Sequence, residues 1–363
     1  MLRRGKTILI AFMLLVAAVP CARAGEPNHR DRGLTVMTRN MDAGSDFAYV
    51  LQAVSNPNAT QLEILTAITQ TFGEMHGSQI AQRADLIAGE IANTQPDLVG
   101  LQEVTVLSVG PFGEAPTTVV DNGLGALLQA LGQRGLYYAA AVTQQNATVA
   151  LPAFDSSFQV ITVGLTDFDV VLARTDLPVD EFKVLAVQKD YFSEAATLSF
   201  AVAGQSIPFV RGWIAVDAKL RGKSYRFVTT HLETFSPDYQ AAQANELLNG
   251  PLQSSLPVIL AGDLNSDAHA PSFANGPAYG ILTSAGFDDV WSDLRPSEAG
   301  LTWPLFGEDP PLGPTGLYQR IDLILTKGTK ADPRDTFLTG TAAIDGLWPS
   351  DHAGVVASFT LLP

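Results

Sequence analysis

Short apolar runs that end in a polar residue recur along the chain. The clearest run covers residues 257–261 and breaks at Gly262, after which Asp263 and Asn265 follow. Because this run is apolar at every position, it predicts a strand that is buried on both faces, and Gly262 lets the backbone turn where it ends. Asp and Asn after a glycine are ordinary turn residues, so this stretch alone does not predict a functional site.

Five other runs have the same design, an apolar stretch that ends in or beside an acid, an amide or an imidazole. The polar residues placed in this way are Asn40, Glu103, His231, Asp322, Asp351 and His352. The recurrence predicts that these strand-end side chains point into one cleft together with those of Asp263 and Asn265.

The remaining pattern predicts how the strands are covered. Apolar residues at helical spacing predict a helix over 78–93 that packs on a sheet. The same spacing over 42–77 predicts a helical insertion, interpreted as a flap beside the cleft. Segments 211–220 and 225–231 alternate in polarity and predict a β-hairpin. No linker long enough to split the chain is present, so we expect one domain with strands in two stacked sheets and helices outside them.

Composition adds an expectation about processing. The chain has 363 residues, of which 46% are hydrophobic and 16% charged, which is typical of a globular protein. Residues 1–24 start basic, continue apolar and end in a small-residue site at Ala24, so they predict a cleaved secretory signal. The mature chain, residues 25–363, is then secreted (extracellular or periplasmic) and lacks Cys21, the only cysteine. The apolar stretch of about 14 residues is too short for a membrane span, which needs about 20.

The charge of the protein restricts its partners. The formal net charge of −15 falls to −19 when the signal is removed, because the signal holds four basic residues and no acids. An acidic chain without a Lys/Arg-rich run is a poor match for broad nucleic-acid binding. A metal-assisted enzyme that acts on phosphate esters is still compatible with this charge.

The types of the strand-end residues indicate a metal site. Carboxylates, amides and two histidines without any cysteine suit a hard divalent cation such as magnesium or calcium, with a zinc site of two His and one Asp as the alternative. The chain has no Gly-x-Ser-x-Gly elbow and no phosphate-cradling glycine-rich loop. Arg174 and Arg211 lie beside strand ends and are interpreted as surface ion pairs, with phosphate binding as the alternative.

The motifs also occur in a recognisable order. They are Asn40, Gln102-Glu103, Thr230-His231-Leu232, Gly262-Asp263-Leu264-Asn265, Arg320-Ile321-Asp322 and Ser350-Asp351-His352. Over residues 34–361 this set resembles the endonuclease/exonuclease/phosphatase superfamily, which includes deoxyribonuclease I, abasic-site endonucleases of the exonuclease III type, neutral sphingomyelinases and inositol polyphosphate 5-phosphatases. The resemblance implies an α/β fold, a four-layer sandwich of two packed β-sheets flanked by helices, with metal and phosphate bound at the strand ends.

The resemblance also implies a role for each residue. Glu103 would be the main ligand of a magnesium ion, or of manganese or calcium in its place, with Asn40 and Asp351 close to the ion or its waters. Asp263 would orient or deprotonate the attacking water, and Asn265 and His231 would hold the phosphate. His352 would stabilise the transition state or protonate the leaving group, while Asp322 would accept a hydrogen bond from His352.

Substrate identity is open at this level. The resemblance implies a phosphodiester hydrolase, most simply a nuclease, with a phospholipid phosphodiesterase of the sphingomyelinase type as the alternative and a non-catalytic binding module as the hypothesis from another class. The inositol 5-phosphatase branch is disfavoured because Arg320-Ile321-Asp322 lacks the Trp-Cys-Asp-Arg run of those enzymes. The sequence implies neither a protein partner nor a stable membrane span.

Overall fold

The computed structural model describes residues 33–202, 205–306, 316–328 and 330–362. The predicted signal peptide, its cleavage site at Ala24 and Cys21 lie outside these residues. The helices are α1 (Ala48–Ser55), α2 (Gln61–Gly77), α3 (Ile80–Thr94), α4 (Gly123–Gln133), α5 (Pro237–Asn249), α6 (Ala278–Ser284) and α7 (Val290–Leu294). Within the described ranges, no helix has the length and apolar character required to cross a membrane.

Most of the strands form two large sheets. The strands are β1 (Leu34–Asn40), β2 (Leu98–Pro111), β3 (Thr118–Asn122), β4 (Tyr138–Phe154), β5 (Val160–Arg174), β6 (Phe182–Tyr191), β7 (Leu198–Val202), β8 (Gln205–Phe209), β9 (Gly212–Leu220), β10 (Lys223–Thr230), β11 (Val258–Asp263), β12 (Asp288–Asp289), β13 (Asp322–Lys327), β14 (Ala331–Thr339) and β15 (Gly354–Leu361). The first sheet has the order β14-β15-β1-β2-β5-β4, with β3 on β2, and the second has the order β12-β13-β11-β10-β9-β6. Strands β7 and β8 form a separate hairpin.

The two sheets pack face to face, as the sequence predicted. Val36 from the first sheet and Phe227 and Ile259 from the second belong to one buried cluster between the sheets. Their neighbours Met37 and Leu260 point to the outer faces, because successive strand residues point to opposite sides. This alternation explains why the runs are apolar throughout.

Helices cover both outer faces. Helices α3 and α4 pack on the first sheet through Ile87, Ile91 and Leu127, while α5 and α6 pack on the second through Leu247 and Leu282. The resulting order is helix, sheet, sheet, helix, so the expected four-layer α/β sandwich is confirmed.

Residues 42–77 hold α1 and α2, which lie on the far parts of β2, β4 and β5. Ile68 of α2 belongs to a small cluster with Ala153 and Val163, and Val50 of α1 packs against that cluster. Helix α2 begins at a full capping box, in which the Thr60 hydroxyl accepts from the Glu63 amide and Glu63 accepts from the Thr60 amide. Local sequence therefore defines the start of this helix, and apolar contacts attach it to the sheet.

Candidate active site

The strand-end residues meet at one edge of the sandwich. Strands β1 and β2 run parallel, as do β10 and β11, so their carboxyl ends reach the same edge. Asp322 starts β13, which is antiparallel to β11 and pairs it directly with Asp263. The side chains gathered at this edge are those of Asn40, Glu103, His231, Asp263, Asn265, Asp322, Asp351 and His352.

Glu103 lies in a bulge rather than at a strand end. Strand β2 was expected to end at Glu103, but it continues to Pro111, and its pairing with β5 shifts between Leu101 and Val104. Glu103 has a positive φ of 54° inside this irregularity, which is uncommon for a residue other than glycine. The bulge re-aims the carboxylate, which accepts from the Ala43 amide at 2.7 Å.

Asn40 links two of the carboxylates. Its Nδ2 donates to Oε1 of Glu103 at 2.9 Å and to Oδ2 of Asp263 at 3.0 Å. Its Oδ1 accepts from the amide of Asp42 at 2.8 Å. Because both amide hydrogens are used, the 3.5 Å approach of Nδ2 to Nε2 of His352 is a contact rather than a further hydrogen bond. The buried amide fixes the spacing between Glu103 and Asp263.

His352 is surrounded by carboxylates. Its Nδ1 lies 2.8 Å from Oδ2 of Asp322, while its Nε2 lies 3.8 Å from Oδ2 of Asp263 and 4.0 Å from Oδ1 of Asp351. Burial alone would lower the pKa of this imidazole, but the charges of Asp322, Asp351 and Asp263 raise the pKa well above its usual value. His352 is therefore a charged imidazolium near neutral pH.

His231 is held in the opposite state. Nη1 of Arg211 lies 2.6 Å from its Nδ1, and a guanidinium can only donate, so Nδ1 accepts and Nε2 carries the hydrogen. Burial first, and then the charges of Arg211 and His352, lower the pKa of His231 well below its usual value. The neutral ring points its Nε2 hydrogen towards Oδ2 of Asp263 at 3.5 Å and Oε1 of Glu103 at 4.0 Å.

Asp263 lies between the two histidines. Burial, followed by the charge of Asp322, raises the pKa of the Asp263 carboxyl to about 7. Its Oδ1 accepts from the amide of Asn265 at 2.9 Å. With this pKa the carboxyl can both accept and release a proton near neutral pH.

Asn265 and Asp351 are oriented by neighbouring loops. Asn265 has a φ of 47°, and its Nδ2 donates to the Leu232 carbonyl at 3.0 Å, so one amide hydrogen remains for a ligand. The Oδ2 of Asp351 accepts from Nε1 of Trp303 at 3.1 Å. Burial and the charge of Asp42 raise the pKa of Asp351.

Sequence reasoning missed Asp42, Arg83 and Trp303. Asp42 binds Arg83 at 2.8 Å, and burial raises its pKa. Trp303 contacts Asp351 and lies with its ring centre 6.3 Å from that of His352. Asp42 could have been found from the sequence, because it lies two residues after Asn40. Arg83 lies on a helix and Trp303 in a loop, and no residue pattern would place them in this site.

The two arginines do not behave alike. Arg211 is only 5% exposed and contacts His231, so its interpretation as a surface ion pair is wrong. Arg174 forms an ion pair with Asp176, and its amide bonds to Asp97 at the start of β2, the end opposite to Glu103. Arg174 therefore lies away from the site.

The donor set fits a hard divalent ion. Two groups of side chains offer ligand atoms within 4.8 Å of one another: Glu103, His231 and Asp263, and Asp263, Asp322 and His352. The raised pKa values of Asp263 and Asp351 indicate negative charge that a cation would stabilise. Zinc fits less well, because each group contains a single histidine and no cysteine. Carboxylate and amide oxygens suit magnesium or manganese.

Solved structures share this fold. An endonuclease/exonuclease/phosphatase family protein from Leptotrichia buccalis C-1013-b aligns over 90% of this chain and 100% of its own, at 17% identity and a TM-score of 0.54. TDP2 of D. rerio, complexed with a single-strand DNA product, aligns over 91% and 100% at 18% identity and a TM-score of 0.53. The family protein from Bacteroides vulgatus aligns over 90% and 98% at 16% identity and a TM-score of 0.52. No curated protein matches the chain.

The sequence model of the Endonuclease/Exonuclease/phosphatase family matches residues 75–352. The chain therefore belongs to this family, as the order of its motifs indicated. Membership makes the protein a phosphoesterase, a class of hydrolases.

Proposed function

We propose that the protein is a divalent-metal-dependent hydrolase of phosphodiesters. The observation that carries the proposal is the pairing of Asp263 and His352, whose Oδ2 and Nε2 atoms lie 3.8 Å apart. Both pKa values are raised, that of Asp263 to about 7 and that of His352 well above its usual value. A carboxyl that titrates near 7 suits a general base, and a persistent imidazolium suits a general acid. Both groups can work at the same pH.

The reaction follows from these positions. Asp263 accepts a proton from water as the water oxygen attacks phosphorus, and one phosphorus–oxygen ester bond breaks. His352 donates its Nε2 proton to the departing alkoxide, so the products are a phosphomonoester and an alcohol. Asp322 holds His352 in place, and the Nε2 hydrogen of His231 and the remaining amide hydrogen of Asn265 stabilise the charge on phosphate oxygens.

Glu103 is the residue best placed to hold the divalent ion, with Asn40, whose amide donates to Glu103, and Asp351 as the further candidates. When bound, such an ion offsets phosphate charge and stabilises the oxyanion that forms on attack. The bulge that turns Glu103 into the cleft and the amide that fixes it both support this role.

A Glu103→Gln variant tests the metal. Hydrolysis of bis(p-nitrophenyl) phosphate should fall roughly 100-fold, because the change removes the ligand charge while keeping the side-chain shape. Glu114→Gln, a matched change at an exposed position, should leave the rate unchanged, and circular dichroism should match the parent for both variants. Full wild-type activity in excess chelator would contradict the proposal.

Two substrate classes compete for this centre. A nuclease was the first expectation from the sequence, and TDP2, described in complex with a DNA product, supports it by fold alone. A phospholipid phosphodiesterase is favoured by an apolar cavity that opens onto the site.

Secretion stays a prediction that rests on residues 1–24, and mass spectrometry of the exported chain would test it by locating a start near Gly25.

A further inference from the structure

An apolar cavity of about 250 Å³ runs from the active site beneath the helical insertion. Helices α1 and α2 form its roof, strands β2, β4 and β5 form its floor, and residues 208–211 lie along one side. Most of the roof precedes residue 75, where the match to the family begins. The roof of the cavity is therefore built largely by the part of this chain that the family match leaves out, whereas the floor and the side belong to the matched residues.

The lining separates into an apolar body and one polar end. The side chains at the polar end are Glu103, Asp167, Arg211 and His231. Glu103 and His231 also belong to the active site, so the cavity and the phosphate position are continuous. A group esterified to a phosphate in the site can enter the cavity without leaving protein contact.

Several apolar side chains of the roof and floor are only partly buried. Phe47, Val50, Phe72 and Leu165 are each only partly buried although they face one another around the cavity. Each of them contributes apolar surface to the lining of the cavity. Apolar surface gathered in one concave site is typical of ligand pockets, and it is stabilised when an apolar group covers it.

One end of the cavity meets solvent. Phe235 is 46% exposed and contacts Phe209 edge-on, with ring centres 5.7 Å apart. The guanidinium of Arg211 lies 4.5 Å from the centre of the Phe209 ring. An aromatic pair with a cation behind it forms an amphipathic rim, which suits a ligand that has an apolar and an anionic part.

We infer, on the basis of the proposed function, that the substrate is a phosphodiester with a long alkyl or acyl chain, as in a phospholipid, and that the chain lies in this cavity. At roughly 30 Å³ for a water-sized group, the cavity holds roughly eight methylene groups. Arg211 is the one cation among the lining residues. A polynucleotide would need a row of cations along its backbone, whereas a lipid tail needs none.

A chain-length series tests the inference. The substrates are methyl, butyl and octyl p-nitrophenyl phosphate, used below their micelle concentrations, and each gives an alkyl phosphate and p-nitrophenol. One buried methylene is worth about fourfold in affinity, so kcat/KM should rise on the order of 100-fold from butyl to octyl. Equal rates for all three would overturn the inference and leave the proposed function standing.

Two variants fill the cavity from opposite walls. Val50→Trp acts from α1 and Val149→Trp acts from β4, and each should reduce the octyl-to-butyl ratio to about tenfold or less. Gln52→Trp and Ala150→Trp are the matched controls, since both residues are exposed and lie outside the lining. The controls should keep the wild-type ratio, and an unchanged ratio in folded Val50→Trp and Val149→Trp would overturn the inference.

Calorimetric titration with monomeric octylphosphocholine in excess chelator, which blocks metal-dependent hydrolysis of this diester, tests the cavity without catalysis. Binding by the wild type that is at least about tenfold weaker in Val50→Trp supports the inference even if no substrate is hydrolysed, in which case only the proposed function fails. Absence of binding overturns it. A higher kcat/KM for thymidine 5′-(p-nitrophenyl phosphate) than for the octyl ester would also overturn it, in favour of a nuclease.

Discussion

The active site contains two histidines, His352 and His231, and their surroundings are opposite in charge. The neighbours of each histidine define one half of the site. In the acidic half, His352 is flanked by Asp322, Asp351 and Asp263, and its pKa is raised well above the usual value. The arginine half consists of His231, Arg211 and two carboxyls whose pKa values the charge of Arg211 lowers, Asp167 and Asp169. In this half the guanidinium lies directly behind the imidazole, and the pKa of His231 is lowered well below the usual value.

Both rings are almost completely buried, so the difference comes from their neighbours. Burial disfavours the charged form of both imidazoles and so lowers both pKa values. Three carboxylates overcome this penalty at His352, whereas Arg211 adds to it at His231. A pair of imidazoles with separated pKa values provides a proton donor and a neutral hydrogen-bond donor over one pH range.

The largest effect is expected from His352→Ala. Removing the acid should lower kcat/KM roughly 10²- to 10⁴-fold for a diester with an alcohol leaving group. The loss should be smaller for a p-nitrophenyl ester, because that leaving group departs without protonation. Steady-state kinetics on both substrates measures the difference, and equal losses would show that His352 stabilises charge without donating a proton.

Asp322, which pairs with His352, provides a second test of the same role. Asp322→Asn should cost less than His352→Ala, and the double variant should be little worse than His352→Ala alone, because residues that act as a unit lose activity non-additively. Since Asp322 raises the pKa of His352, the basic limb of the pH profile should move to lower pH in Asp322→Asn. His76→Ala, at a 57% exposed side chain, is the control and should leave both measurements unchanged.

The contrast between the halves also separates what the sequence could predict from what it could not. The residues of the acidic half come after or before apolar runs, and such runs predict strands directly. The parallel pairing of β10 with β11 then brings His231 beside Asp263, where the two form an isolated bridge. The sandwich and the gathering of strand-end residues at one edge therefore followed from periodicity and motif order.

Tertiary contacts determine the remainder. The bulge at Glu103 depends on the pairing of β2 with β5, so residue pattern alone did not reveal that β2 continues to Pro111. Arg211 lies 20 residues before His231 and reaches it only because β9 and β10 form a hairpin. The sequence predicted that hairpin, but periodicity does not report where a long side chain ends.

The arginine half can be tested through Arg211→Gln. Loss of the guanidinium should raise the pKa of His231 towards its ordinary value, so the ring becomes protonated at mildly acidic pH and is neutral above it. We expect roughly tenfold lower kcat/KM, because one hydrogen bond that orients a phosphate contact is lost. An NMR pH titration of the His231 ring measures the pKa.

Arg174→Gln is the matched control for this change. Arg174, at the end of β5, is buried like Arg211, but it pairs with Asp176 away from the site. It should leave the pKa of His231 where it is in the parent protein. If Arg211→Gln leaves that pKa unchanged as well, burial rather than the guanidinium keeps His231 neutral, and the contrast between the two halves is smaller than the geometry indicates.

The smallest effect concerns Asp169, behind Arg211. Burial, followed by the charge of Asp167, raises the pKa of the Asp169 carboxyl well above its usual value, and neither carboxylate oxygen makes a hydrogen bond within the described part of the chain. A carboxyl whose pKa is raised on folding does not lower the free energy of unfolding at pH values below its unfolded pKa. As the pH rises from there towards the folded pKa, it destabilises the protein increasingly. Asp169→Asn should therefore stabilise the protein by about 1–2 kcal/mol at pH 8 and by less at pH 5.

Urea denaturation at both pH values measures this difference, with Asp155→Asn at a surface turn as the control for a general change of charge. If the variant gains more stability at pH 8 than at pH 5, the buried carboxyl of Asp169 destabilises the parent protein. The arginine half then retains this carboxyl beside Arg211 and His231 at the expense of stability. A loss of stability at both pH values would mean that Asp169 is bound as a carboxylate by Arg211. In that case Arg211 is shared between Asp169 and His231, and its effect on the histidine is weaker than the contact of 2.6 Å suggests.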